Sequence, residues 1–261
     1  MATLTASPMT AAEAPLLDVR RLSKRFGGVV ASAGIDLQVS RGEVHALIGP
    51  NGAGKTTLVA QLAGQLRPDA GRVVFAGADI TRLSPHARAR RGLARSFQIT
   101  RLFRSFNALD NVVLGLQALA WPPRGDAARR ERPARQLRQE KALEVLARIG
   151  LAHRAASPID ALSHGEQRAL EVGLAVAGDP RLVLLDEPMA GMGAEESRRM
   201  EALIARLREH TTVLLIEHDV DAVFRLADRV SVLVGGRVIA SGAPDAIRRD
   251  PGVIEAYLGD E

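Results

Sequence analysis

The apolar positions change period several times along the chain. Residues 16–26 and 34–39 alternate apolar and polar, the pattern of strands buried on one face. Residues 44–48 are apolar except for His45 and stop at Gly49, which predicts a strand covered on both faces. A glycine-rich stretch follows, then a helical pattern over residues 55–66 and a short strand at 72–75. Residues 107–178 are largely helical in spacing, with a Pro-Pro-Arg-Gly break at 122–125. Residues 181–185 and 211–216 are short apolar runs that suit buried parallel strands, and residues 195–209 between them predict a helix. The runs 230–234 and 237–240 flank Gly235-Gly236, a two-residue hairpin signal. From Ala243 the tail reads as polar helix. Strands alternate with helices at both ends and a helix-rich segment lies between. This predicts one α/β domain with an insertion rather than two tandem domains.

Composition narrows the chemistry. The 261 residues are 46% hydrophobic and 25% charged, ordinary values for a globular chain and not those of a disordered one. Cysteine is absent, which removes disulfides, thiolate metal sites, cysteine nucleophiles and iron–sulfur clusters together. No apolar run reaches the roughly 18 residues a membrane span needs. The first 15 residues lack the basic start of a secretory signal and read as a frayed tail, so a cytoplasmic chain is expected. The formal charge is +5, and of 35 basic residues only Lys24, Lys55 and Lys141 are lysines. Arginines concentrate at 82–95 and 124–138. Too few aromatics interleave them for a single-strand stacking platform. The runs read as solvated helix surface, and no nucleic-acid partner is expected.

One stretch carries specific chemistry. Gly49-Pro50-Asn51-Gly52-Ala53-Gly54-Lys55-Thr56-Thr57 has the spacing of a phosphate-binding loop. Glycines let the backbone curl so that successive N–H groups point at phosphate oxygens, and the following helix adds its positive end. Lys55 is placed to reach the β- and γ-phosphates, and the Thr56 hydroxyl to ligate Mg²⁺. The motif sits between a predicted buried strand and a predicted helix, as that mechanism requires. Phosphate binding with Mg²⁺ is the expected chemistry of this loop.

A second apolar strand ends in two carboxylates, Asp186 and Glu187. In phosphate-loop ATPases a strand-end aspartate holds the Mg²⁺, a role that falls to Asp186. Glu187, just past the strand, is then the candidate general base for the attacking water.

Leu162-Ser163-His164-Gly165-Glu166-Gln167, about twenty residues before Asp186, resembles the signature sequence of ATP-binding cassette (ABC) proteins. The resemblance extends over residues 16–258. It implies an α/β phosphate-loop NTPase with an N-terminal antiparallel β subdomain and an inserted helical subdomain. The implied layout is a tail at 1–13 and a single cassette at 14–261, with a catalytic core at 14–97 and 180–261 and a helical insertion at 98–179. The resemblance also supplies site residues. Gln98 matches the Q-loop glutamine, a ligand of Mg²⁺ or of the attacking water, and His218 matches the switch histidine that bonds the γ-phosphate. Ser163 and Gly165, with Glu166 beside them, would meet the γ-phosphate of a partner cassette in trans. Phe26 matches the aromatic on which adenine stacks. The sequence departs from the family pattern at Glu166, commonly Gln, and at Gly193, commonly Asp in the loop that couples the two sites.

The phrases at 97–103, 190–192, 216–219 and 254–259 resemble the LivG-like ATPases of branched-chain amino acid importers. That resemblance implies a second cassette (related or identical), two membrane permease subunits and, indirectly, a periplasmic solute-binding protein. It places the chain on the cytoplasmic face of the inner membrane. Urea or amide importers, lipopolysaccharide-export ATPases and soluble cassette ATPases are the alternatives. Soluble cassettes commonly carry two cassettes or cysteine-rich modules in one chain, and neither is present here.

Overall fold

The computed structural model describes residues 14–96, 102–119 and 135–258. Gln98 and most of the arginine stretch at 124–138 lie outside these residues. Two long strands, β1 (Leu17–Phe26) and β2 (Val29–Val39), are followed by β3 (Val44–Ile48) and helix α1 (Lys55–Leu62). Then come β4 (Ala70–Phe75), the two-residue β5 (Ala78–Asp79), α2 (Pro85–Ala89) and β6 (Leu93–Arg95). Helices α3 (Ala108–Leu119), α4 (Arg135–Arg148) and α5 (His164–Val176) follow. The chain then runs through β7 (Leu182–Asp186), α6 (Ala194–Leu207), β8 (Thr212–Ile216), α7 (Val220–Leu226), β9 (Arg229–Val234) and β10 (Arg237–Gly242).

Two sheets result. One is antiparallel, in the order β2-β1-β4-β5, and the other is mostly parallel, in the order β10-β9-β3-β8-β7-β6. All five residues of β3, of β7 and of β8 are buried, as their near-continuous apolar runs require. Their registers pair Leu47 with Ile216 and Asp186 with Ile216, so the three strands end at one edge. That edge is where an open α/β sheet binds its ligands.

Two departures from the sequence reading have local causes. The helix expected through residue 66 stops at Leu62, because Gly64 takes the left-handed conformation (φ 79°) that ends helices. Strand β2 begins at Val29 rather than 34, because Phe26 pairs with Val29 across Gly27-Gly28. Val29 and Val30 are both exposed there, so apolar alternation could not mark the strand.

The antiparallel sheet covers α1, and Leu22, Ile35, Leu37, Leu58, Leu62 and Phe75 share one core cluster. Helices α3–α5 share another with β7 and β8, including Val112, Val145, Leu146, Leu170, Val183 and Val213. A Cβ on Gly173 would sit 2.7 Å from the terminal methyl of Ile149, so α5 packs closely against that side chain. Among the described residues no helix is long and apolar enough to cross a membrane.

Candidate functional site

The phosphate-type loop leaves the buried end of β3 and enters α1. Two of its glycines are required by close approach. A Cβ on Gly49 would lie 2.0 Å from the Leu233 carbonyl oxygen, and one on Gly54 would lie 2.3 Å from that of Ala31. Both also have positive φ, 150° and 103°. The loop is braced by the β9–β10 hairpin. Gly236 N–H donates to Ala53 O at 2.9 Å, and Ala33 N–H donates to Gly236 O at 2.8 Å. Lys55 is buried, and its ammonium donates to the carbonyls of Gly49 and, at 3.1 Å, Pro50. Burial lowers its pKa, and the nearby carboxylates of Glu187 and Asp186 oppose that shift. Lys55 and the two strand-end acids therefore share one site. Thr56 and Asn51 are exposed at the mouth.

Asp186 is buried at the end of β7 and accepts from the Arg95 guanidinium at 2.7 Å. Glu187 follows with φ 50°, a conformation uncommon for a non-glycine residue and typical of functional positions. Its N–H donates to Ile216 O at 2.9 Å, which anchors the loop to β8. Beyond β8, His218 exposes 60% of its side chain toward the same edge. Between them Glu217 is fully buried, accepting from the N–H of Met189 at 2.9 Å and of His218 at 3.2 Å. Burial raises its pKa, and those two N–H donors oppose the rise.

Ser163 caps α5. Its hydroxyl accepts the Glu166 N–H at 3.2 Å, and the Glu166 carboxylate accepts the Ser163 N–H at 2.8 Å. Glu166 also pairs with Arg154 at 3.2 Å. Its carboxylate is therefore committed to the cap, and an acid at the third helical position answers the helix dipole. Ser163 Oγ and the Gly165 N–H meet the same oxygen of Glu196, at 3.4 and 3.1 Å. Two donors converging on one carboxylate oxygen make an anion-binding corner.

Phe26 is 50% exposed at the tip of the β1–β2 hairpin, with Lys24 Nζ 5.6 Å from its ring centre. It is available for stacking and is not a core residue. The structure brings Lys55, Asp186, Glu187 and His218 to one sheet edge. Ser163 and Gly165 lie on the inserted helical part, held by α6. Gln98 lies outside the described residues.

Sequence reasoning passed over Arg95, Glu196, Glu217 and Gly236. Glu217 had a visible signal: a carboxylate closing a buried apolar run, as Asp186 does. The other three act across 31 to 203 residues of sequence, and no local pattern marks them.

Mg²⁺ suits this donor set, because Asp186 and Thr56 offer the hard oxygens it prefers. Among the described residues no three His, Asp or Glu side chains converge as a metal cage. An ion bound chiefly through substrate phosphates and water needs none.

The sequence profile of the ABC transporter family matches residues 33–190. The chain belongs to the ABC transporter family. A second profile, that of the branched-chain amino acid ATP-binding cassette transporter, matches residues 237–261 of this cassette. The high-affinity branched-chain amino acid transport ATP-binding protein BraF of Pseudomonas aeruginosa is 40% identical over 255 residues, covering 94% of this chain and 98% of that protein. The corresponding LivG protein of Escherichia coli K12 is 37% identical over 251 residues, with coverage of 94% and 98%. The cassette also superimposes on the crystal structure of the ADP conformation of an ABC transporter ATP-binding cassette. The TM-score is 0.81 at 30% identity, covering 94% of this chain and 99% of the other.

Proposed function

We propose that this chain is the ATP-hydrolysing subunit of an importer for branched-chain or closely related amino acids, working with separate membrane permease subunits. The observation that carries the reading is the meeting of Lys55, Asp186, Glu187 and His218 at the C-terminal edge of the parallel sheet, beside a phosphate-type loop. The C-terminal profile match and the names of the relatives support the choice of solute.

In this reading the loop amides, Lys55 and the end of α1 hold the triphosphate, and Phe26 stacks on adenine. Thr56, Asp186 and Gln98 hold Mg²⁺, which when bound neutralises charge on the phosphates. The oxygen of a water molecule bonds to the γ-phosphorus as the β–γ bridging P–O bond breaks. Glu187 accepts the proton released by that water. His218 bonds a γ-phosphate oxygen and keeps it in line with the attacking water. Ser163 and Gly165 contact the γ-phosphate bound by a second cassette, which is why the working unit is a dimer, of this chain or with a related one. The permeases place it at the cytoplasmic face of the membrane, and the solute arrives from a periplasmic binding protein.

Glu187→Gln is expected to slow hydrolysis by about 10²- to 10⁴-fold while ATP binding persists. Lys55→Ala is expected to weaken ATP binding itself. Unchanged turnover in the first variant, or wild-type affinity in the second, removes the assignment. Loss of leucine uptake in cells lacking this chain, restored by the wild type and not by Glu187→Gln, tests the solute.

A further inference from the structure

The ladder between β7 and β8 ends at the pair Asp186–Ile216 and the bond from Glu187 N–H to Ile216 O. Past that bond, among the described residues, no backbone hydrogen bond joins the loop that Glu187 opens to the loop that carries His218. Backbone pairing no longer sets the spacing between them. Glu217 stands in this gap, fully buried. Its Oε1 accepts the Met189 N–H at 2.9 Å, on the Glu187 loop. Its Oε2 accepts the His218 N–H at 3.2 Å and lies 3.6 Å from His218 Nδ1. Burying a carboxylate is costly, and here its two oxygens meet one donor from each loop.

We infer that Glu217 is a positioning residue for ATP hydrolysis: its carboxylate clasps the Glu187 loop to the His218 loop and sets the distance between base and γ-phosphate contact. The inference rests on the roles given above to Glu187 and His218. A glutamine in the same place offers one accepting oxygen and one donating amide. One of the two N–H groups would then face another donor, and the clasp would open on that side. An alanine would leave both N–H groups without a partner.

The test uses the full-length chain carrying Glu217→Gln or Glu217→Ala, alone and combined with His218→Ala. ATP binding, steady-state and single-turnover hydrolysis, and thermal unfolding are measured. Glu217→Gln is expected to lower kcat about tenfold or more and to leave KM for ATP within about twofold. In the His218→Ala background the same change is expected to slow single-turnover hydrolysis less than about twofold, because its effect passes through His218. A merely structural carboxylate would lower the unfolding temperature and spare kcat, and that result overturns the inference. Fully additive losses in the double variant overturn it as well. If Glu217→Ala does not fold, the isosteric Glu217→Gln carries the test. The outcomes separate from those of the main reading. If Lys55→Ala keeps ATP affinity or Glu187→Gln keeps turnover, the site itself is misassigned. If both behave as expected and Glu217→Gln turns over like wild type, only the positioning role falls.

Discussion

Replacing Arg88 with methionine measures how far the phosphate-loop helix depends on a cation buried beneath it. Arg88 lies on α2 and is 1% exposed. Its guanidinium donates to the carbonyls of Gln61 at 2.7 Å, Leu62 at 2.6 Å, Thr81 at 2.9 Å and Leu83 at 3.2 Å. The first two belong to the last turn of α1, whose carbonyls lack the regular helical donor four residues on; Gln61 O also accepts the Gly64 N–H at 3.2 Å. A cation there also meets the negative end of the helix. Burial pushes the guanidinium's pKa down to about 10, with the Asp79 carboxylate opposing. Burial thus works against the charged form of the side chain. Hydrogen bonds to a charged group return ~1.5–3 kcal/mol each, so four of them outweigh that cost. Methionine avoids the burial cost but leaves four carbonyls facing an apolar side chain. The expected loss of folding stability is ~3–5 kcal/mol, because each buried carbonyl left without a donor costs ~1–3 kcal/mol and the burial cost that methionine avoids offsets part of the sum. Urea denaturation with the slope held in common gives the number, and ATP titration reports whether the loop at the other end of α1 loosens. Arg88→Lys should fall between, since a compact ammonium cannot span all four acceptors. A loss below about 1 kcal/mol for Arg88→Met would refute the reasoning, because the carbonyls would then be satisfied without the cation.

Two other substitutions address the nucleotide directly. Phe26→Ala is expected to weaken ATP binding about two- to tenfold and Phe26→Tyr to preserve it, since stacking contributes ~0.5–1.5 kcal/mol; equal affinities in isothermal titration would remove Phe26 from the site. Glu196→Gln removes a negative charge from the corner that Ser163 and Gly165 would offer a phosphate. In a Glu187→Gln background it should lower the ATP concentration at which half the chain elutes as a dimer, and an unchanged midpoint would show that the carboxylate does not compete.

Much of the architecture is legible in local pattern, for reasons that particular residues make plain. The apolar runs ending at Ile48, Asp186 and Ile216 are long enough to bury on two faces and too short for helices, so they define a parallel core. The spacing from Gly49 to Thr57 demands a strand before it and a helix after it, and both are present. Ser163 and Glu166 form a capping box readable three residues apart. The misjudged ends have equally local reasons. Gly64 stops α1 early, and β2 begins where exposed valines hide the alternation.

The sequence by itself determined the order of elements, the phosphate-type loop, the paired acids at a strand end and the signature helix. Each depends on residues within about ten positions of one another, where periodicity and turn chemistry act. Only the tertiary structure decided what those motifs touch. It set Arg95 against Asp186, Glu196 against the corner at Gly165, Gly236 under the phosphate-type loop and Glu217 between the loops of Glu187 and His218. The reason is physical. A side chain's hydrogen-bond partners depend on which elements the closed core brings together, and residues adjacent at the sheet edge are far apart along the chain. The scarcity of lysine shows the same division. Lys55 is one of only three lysines in the sequence, but its burial among the loop carbonyls beside two carboxylates is a product of the fold.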